Sequence, residues 1–143
     1  MEKELLGTGH AWEKEFPYTS GGPAPWTQIC KVKGGTLSFI AGQVAYDDSG
    51  RIVGARNMRD QAEQAYNNVR DALKSAGARV SDIVCERVYV PDMEAYIRRG
   101  EEVREKFYAD AGVTTLPPMT LIGVKRLAIK ELMIEVEVIA VTE

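Results

Sequence analysis

The chain has 143 residues, 45% of them hydrophobic, and a formal net charge of −3. That length and composition fit one domain with a single core and argue against a fibrous repeat or a disordered chain. The mild acidity gives no global pull toward nucleic acid, although Lys125, Arg126 and Lys130 form a local basic run.

Residues Met1 to Pro25 carry Gly, Ser and Pro clusters ("YTSGGPAP") without a sustained period, so 1–25 is predicted to be an irregular arm and 26–143 a single domain. The charged opening Met1-Glu2-Lys3-Glu4 is unlike a signal segment, and no apolar run approaches the roughly 20 residues needed to span a bilayer. A soluble, cytoplasmic protein with two reduced thiols, Cys30 and Cys85, is expected. His10 is the only histidine and sits in the arm, which argues against Ser-His-Asp hydrolysis and histidine-rich zinc sites.

"WTQICKV", "KGG" and "TLSFIAGQVAY" predict a hairpin with a glycine turn. From Met58 the period changes: Met58, Ala62, Ala65, Tyr66, Val69, Ala72, Leu73 and Ala76 fall on one stripe of a helix, with Asn57 as N-cap and Gly77 as stop. "SDIVCERVYV" predicts a strand ended by Pro91-Asp92. A second helix follows, its inner face Met93, Tyr96, Ile97, Gly100, Val103 and Phe107. "LPPMTLIGVKRLAIKELMIEVEV" predicts two last strands joined by a tight connection, with "VKRLAIK" a solvated turn. Asp47-Asp48-Ser49-Gly50 starts like a calcium loop but lacks the following ligands and reads as a turn.

The order β-β-α-β-α-β-β predicts an α+β layer, both helices on one face of a single sheet. In the final strand Ile134, Val136, Val138 and Ala140 cover the helices, while Met133, Glu135, Glu137, Ile139 and Val141 point away. A face so rich in Met, Ile and Val is expected to meet another subunit.

The hairpin with "AGQV", the helix ending "LKSAGARVSDIV", the strand "RVYVPDMEAY" and the closing "MIEVEVIAV" together resemble the YjgF-like reactive intermediate deaminase (Rid) family, also called endoribonuclease L-PSP-like, from about Gly22 to Val141. The resemblance implies a chorismate-mutase-like α+β fold and a homotrimer with a central β-barrel and small-molecule clefts between subunits. It also implies hydrolysis of enamines and imines to a keto acid and ammonia, with no metal or cofactor.

Carried over residue by residue, the resemblance assigns Glu135 as the catalytic carboxylate that holds water, and keeps the Gly42-Gln43 turn. The family's carboxylate-binding arginine corresponds to Met119, a nearby cysteine to Leu121, a tyrosine to Trp26 and a helix asparagine to Gly100. The chain is therefore expected to be a divergent member. A thioether offers neither charge nor donor to a carboxylate, so a pocket lined by Met119, Leu121 and Trp26 suits a larger, less charged or aromatic ligand.

Each residue also has a plainer reading. Glu135, with Glu137 beside it, activates water or forms an ion pair across strands; Arg87, on their face, neutralises the acids or serves as a displaced anion anchor. Trp26 is a stacking wall or interface packing, and the cysteines are inert packing. Two functions remain open: a deaminase-like hydrolase acting on an imine, enamine or related metabolite, and a trimer that binds a small molecule or a protein without chemistry. Ribonuclease or translation-inhibitor activity fits less well with an acidic chain that lacks paired histidines.

Overall fold

The computed structural model describes residues 1–15 and 23–143. In chain order the strands are β1 (Glu2–Leu6), β2 (Ile29–Lys33), β3 (Thr36–Gln43), β4 (Ile83–Val90), β5 (Met119–Gly123) and β6 (Glu135–Thr142). Helix α1 (Met58–Ser75) lies between β3 and β4; between β4 and β5 run α2 (Met93–Ala95), a π-helical turn (Tyr96–Gly100) and α3 (Glu101–Asp110), end to end. The main sheet has the order β3-β6-β4-β5, and β1 and β2 form a separate ribbon.

The helices cover one face of this mixed sheet because their apolar stripes need that cover. Met58, Ala62, Ala65, Tyr66, Val69 and Leu73 of α1 are all buried, in one cluster with Val88, Val90, Ile134, Val136 and Val138 of the strands. Burying each of the Val, Leu, Ile and Met side chains among them is worth about 1.5–3 kcal/mol. Asn57 caps the helix by accepting from the Asp60 N–H at 3.1 Å, and Gly77 ends it with φ of 70°. Ala76, the last predicted stripe residue, is exposed beside that stop.

Three expectations change. Gly34 and Gly35 do make a tight turn, with φ of 77° and 87°, but the strands on either side do not pair with each other. β2 pairs antiparallel with β1, and β3 with β6. A Cβ on Gly35 would lie 2.6 Å from the Thr142 carbonyl, so the turn seats against the end of β6 rather than closing a hairpin. The strand also starts at Ile29, leaving Trp26–Gln28 outside it.

The predicted irregular arm contains β1 and a short 3-10 turn at Ala11–Glu13. Cross-strand pairing, including Glu4 with Lys31 at 3.3 Å, orders a segment whose charges hid its strand character. The "YTSGG" part of the arm lies outside the described residues.

The last two strands are not neighbours. β5 runs parallel to β4, as a strand reached through a helical crossover must, while β6 lies antiparallel on the other side of β4. Residues 124–134 therefore cross past the end of β4 instead of forming a tight turn.

The face away from the helices remains open in the chain. Phe39 is 75% exposed and Leu37 56% exposed; they are register partners of Ile139 and Val141. Among the described residues, no helix is long and apolar enough to cross a membrane.

Candidate functional site

The junction of β3 and β6 carries the conspicuous chemistry. Ile40 pairs with Val138 and Gln43 with Val136, so Ala41 and Gly42 together oppose the single residue Glu137, which is a β-bulge. The bulge brings Gly42 against Glu135. A Cβ on Gly42 would lie 2.1 Å from Glu135 Oε1, so only glycine leaves room for that carboxylate.

Helix α1 fixes both backbones that meet here. Asn68 donates through Nδ2 to the Val44 and Tyr46 carbonyls at 2.7 and 2.8 Å, holding the chain just after β3. Gln61, fully buried, donates to the Glu131 carbonyl at 2.8 Å and accepts from the Met133 N–H at 2.7 Å, holding the chain just before β6. Sequence reading missed both amides; the signal was that Gln61 falls three residues after Met58, inside the apolar stripe.

The two glutamates differ. Arg87 and Glu137 are register partners, and Arg87 Nη1 donates to Glu137 Oε1 at 2.8 Å, with the Tyr89 hydroxyl at 3.4 Å. The bond to Glu137 raises the Arg87 pKa, and burial followed by the Glu137 charge raises that of Tyr89. Glu135 lies opposite Tyr89 on the same face, and none of the described hydrogen bonds or ion pairs engages its carboxylate. Arg87 thus neutralises Glu137 and leaves Glu135 available.

The remaining predicted residues lie elsewhere. Met119 pairs in register with Glu86, and Leu121 with Val88, so both point to the helix side and pack on the core. Within one chain they are not brought together with Glu135, because strand alternation puts them on the opposite face; the pocket expected from the sequence is one between subunits. Trp26 belongs with them. The Thr27 N–H donates to the Leu116 carbonyl at 3.1 Å and Arg104 Nη1 to the Pro25 carbonyl at 2.6 Å, tying the Trp26 segment to the approach to β5.

Gly100 ends the π-helical turn, where a Cβ would stand 2.4 Å from the Tyr96 ring; the absent side chain is what lets that ring pack. Nearby lies a buried polar cluster that the sequence reading also missed. Glu86 accepts from Arg104 Nε at 2.8 Å, from the Tyr108 hydroxyl at 3.0 Å and from the Tyr66 hydroxyl. Glu86 and Arg104 are 1% and 0% exposed. Burial, reinforced by the Glu86 charge, pushes both tyrosines well above the ordinary phenol range.

A mixed sheet layered by helices on one face, with a glutamate seated against a glycine bulge on the other, defines an α+β protein of the Rid type. The chain belongs to the family described as Endoribonuclease L-PSP, matched over residues 21–142. It is 30% identical to a RutC family protein of Pyrococcus horikoshii over 91% of this chain and 99% of that one. A 2-iminobutanoate/2-iminopropanoate deaminase of Salmonella typhimurium is 32% identical over 75% of this chain and 80% of the relative. Among solved structures, a Rid family protein, YyfB of Yersinia pestis, superposes with a TM-score of 0.81 at 26% identity, covering 99% of this chain and 100% of that one. E. coli TdcF with bound serine superposes at 0.69 and 27% identity, covering 98% and 99%.

Proposed function

We infer that this protein is a hydrolase of the imine deaminase type, acting in clefts between the subunits of a homotrimer, on a substrate other than a simple 2-imino acid. The observation that carries the reading is Glu135: a carboxylate given room by Gly42, on an open sheet face, while its neighbour Glu137 is taken up by Arg87 and Tyr89. In this reading Glu135 takes a proton from water as the oxygen bonds to the C=N carbon, and returns it to nitrogen. Glu135 then takes the proton of the new hydroxyl and passes it to the nitrogen as the C–N bond breaks, so that ammonia leaves and the oxygen is left as a carbonyl.

Trimer assembly covers the exposed Phe39 and Leu37 and brings the open face of one subunit toward the β5 edge of the next. Met119, Leu121 and Trp26 then select a ligand with less charge than an imino acid. The relatives include an iminobutanoate deaminase, which supports the reaction class.

The test is ammonia release from freshly generated imines, one bearing a carboxylate and one bearing a carboxamide, measured against the uncatalysed rates. The native protein is expected to accelerate the carboxamide imine, Glu135→Gln to lose about 10²–10⁴-fold, and Met119→Arg to favour the carboxylate. Full activity in Glu135→Gln would remove that residue from the mechanism. A second reading, a trimer that binds without turnover, draws support from Arg87: its engagement by Glu137 leaves Met119 without a replacement cation on the open face.

A further inference from the structure

Helices α1 and α3 pack side by side on the sheet and leave between them, on the side turned from the sheet, an open groove of about 480 Å³. That size falls within the range of small-molecule sites, about 300–1,000 Å³. The floor is apolar and aromatic: Tyr66, Val103 and Phe107 are buried, and the two rings stand 4.8 Å apart.

The rim is charged, and its charges are unevenly matched. Arg59 lies 3.5 Å from Glu63 and 3.8 Å from Glu102, and Lys106 meets Asp110 at 2.6 Å. Arg70, exposed at the other end of the groove from Arg59, has no carboxylate partner among the described residues. Its Nη1 donates to the neutral Asn67 Oδ1 at 2.8 Å, and its guanidinium carbon lies over the Phe107 ring, 5.1 Å from the centroid.

Such a guanidinium is held ready for an anion. The ring takes one face by cation–π attraction and Asn67 fixes one nitrogen, so the remaining N–H groups lie in a set plane where a carboxylate accepts two at once. The acids of the rim do not oppose an anion at this end. Asp110 is neutralised by Lys106, and Glu63 stands seven residues back along α1, about 10 Å of helix rise. Physiological salt screens exposed charges over such a distance. Glu102 shares Arg59 with Glu63 and so lies at that far end too.

We propose that this groove binds a small carboxylate with an apolar body, the carboxyl group on Arg70 and the body on the floor of Tyr66, Val103 and Phe107. The site lies on the opposite side of the sheet from Glu135 and does not depend on the hydrolase reading.

The experiment is ¹H–¹⁵N spectroscopy of the full chain in its native assembly, titrated separately with 3-phenylpropionate, with the neutral 3-phenylpropionamide and with acetate. 3-Phenylpropionate is expected to shift the Arg70 Nε–H and Phe107 amide signals saturably. The amide, which lacks the charge, and acetate, which lacks the body, should each bind at least tenfold more weakly. Arg70→Gln changes an exposed side chain and should keep the fold; followed at the Phe107 amide, it should bind 3-phenylpropionate at least tenfold more weakly. Signals of Arg70 and Phe107 that stay unmoved, including the case in which only the Gly42 amide responds, would overturn the proposal. So would equal binding of the amide, equal binding of acetate, which would reduce Arg70 to a bare surface cation, or undiminished binding in Arg70→Gln.

Discussion

Glu86 and Arg87 are consecutive residues of β4, yet they live in different solvents. Glu86 faces the helices and meets Arg104 in the core, both side chains at 0% exposure; Arg87 faces the open side and meets Glu137 with 43% and 36% exposed. The two pairs have the same 2.8 Å separation. Geometry is thus equal and dielectric is not, and energetic worth follows the dielectric. Removing one partner of a buried pair strands a charge away from water, whereas a half-exposed pair exchanges its partner for solvent.

The sharpest way to break this comparison is Glu86→Ala. Arg104 loses its main acceptor, so unfolding in urea should show a loss of about 3–5 kcal/mol. The double change Glu86→Leu with Arg104→Met should recover most of that loss, because two apolar side chains leave no stranded charge; no recovery would mean that the cluster's shape matters more than its charge. Next in size, Gly42→Ala drives a methyl into Glu135 and should cost about 1–3 kcal/mol. Its ammonia release should fall with that of Glu135→Gln.

Arg87→Met should cost less than about 1 kcal/mol, and 1 M salt should erase most of the difference from the native chain. The smallest effect concerns Glu101, whose carboxyl pKa is raised by burial, opposed by Arg104 and Tyr96. Its folded form binds the proton more tightly than its unfolded form. The contribution to stability is therefore full below the ordinary carboxylate range and lost as pH rises through the raised value. Urea midpoints taken from pH 4 upward should show this decline in the native chain and not in Glu101→Gln.

The helix-facing side of the sheet was largely legible from spacing. Val136, Val138 and the α1 stripe follow periods of two and 3.6, and solvent enforces such periods locally. Strand partners were not legible, because β2 chooses between β1 and β3 through contacts distant in sequence, and Gly34-Gly35 permits either choice. On the site, Glu135 and Gly42 stood in recognisable motifs and do meet. The two last strands were read as joined by a tight connection; β4 intervenes between them and fixes the faces of Met119 and Leu121 through its own register. Gln61, Glu86 and Arg104 escaped because a charged or amide residue on an apolar stripe reads as a flaw until its partners, up to 79 positions away, are in view.

The π-helical turn at Tyr96–Gly100 makes the length of this segment as consequential as its composition. A π turn holds one residue more than the hydrogen bonds of an α-helix require. Deleting a residue here would let the ladder relax, but each residue of helix is about 100° of rotation. Either Arg104, Phe107 and Tyr108 would swing away from the core, or Met93 would on the other side. Arg98 and Arg99, both exposed, can be exchanged for other residues at little cost. Neither can be dropped, so this helix tolerates spelling changes but not a missing letter.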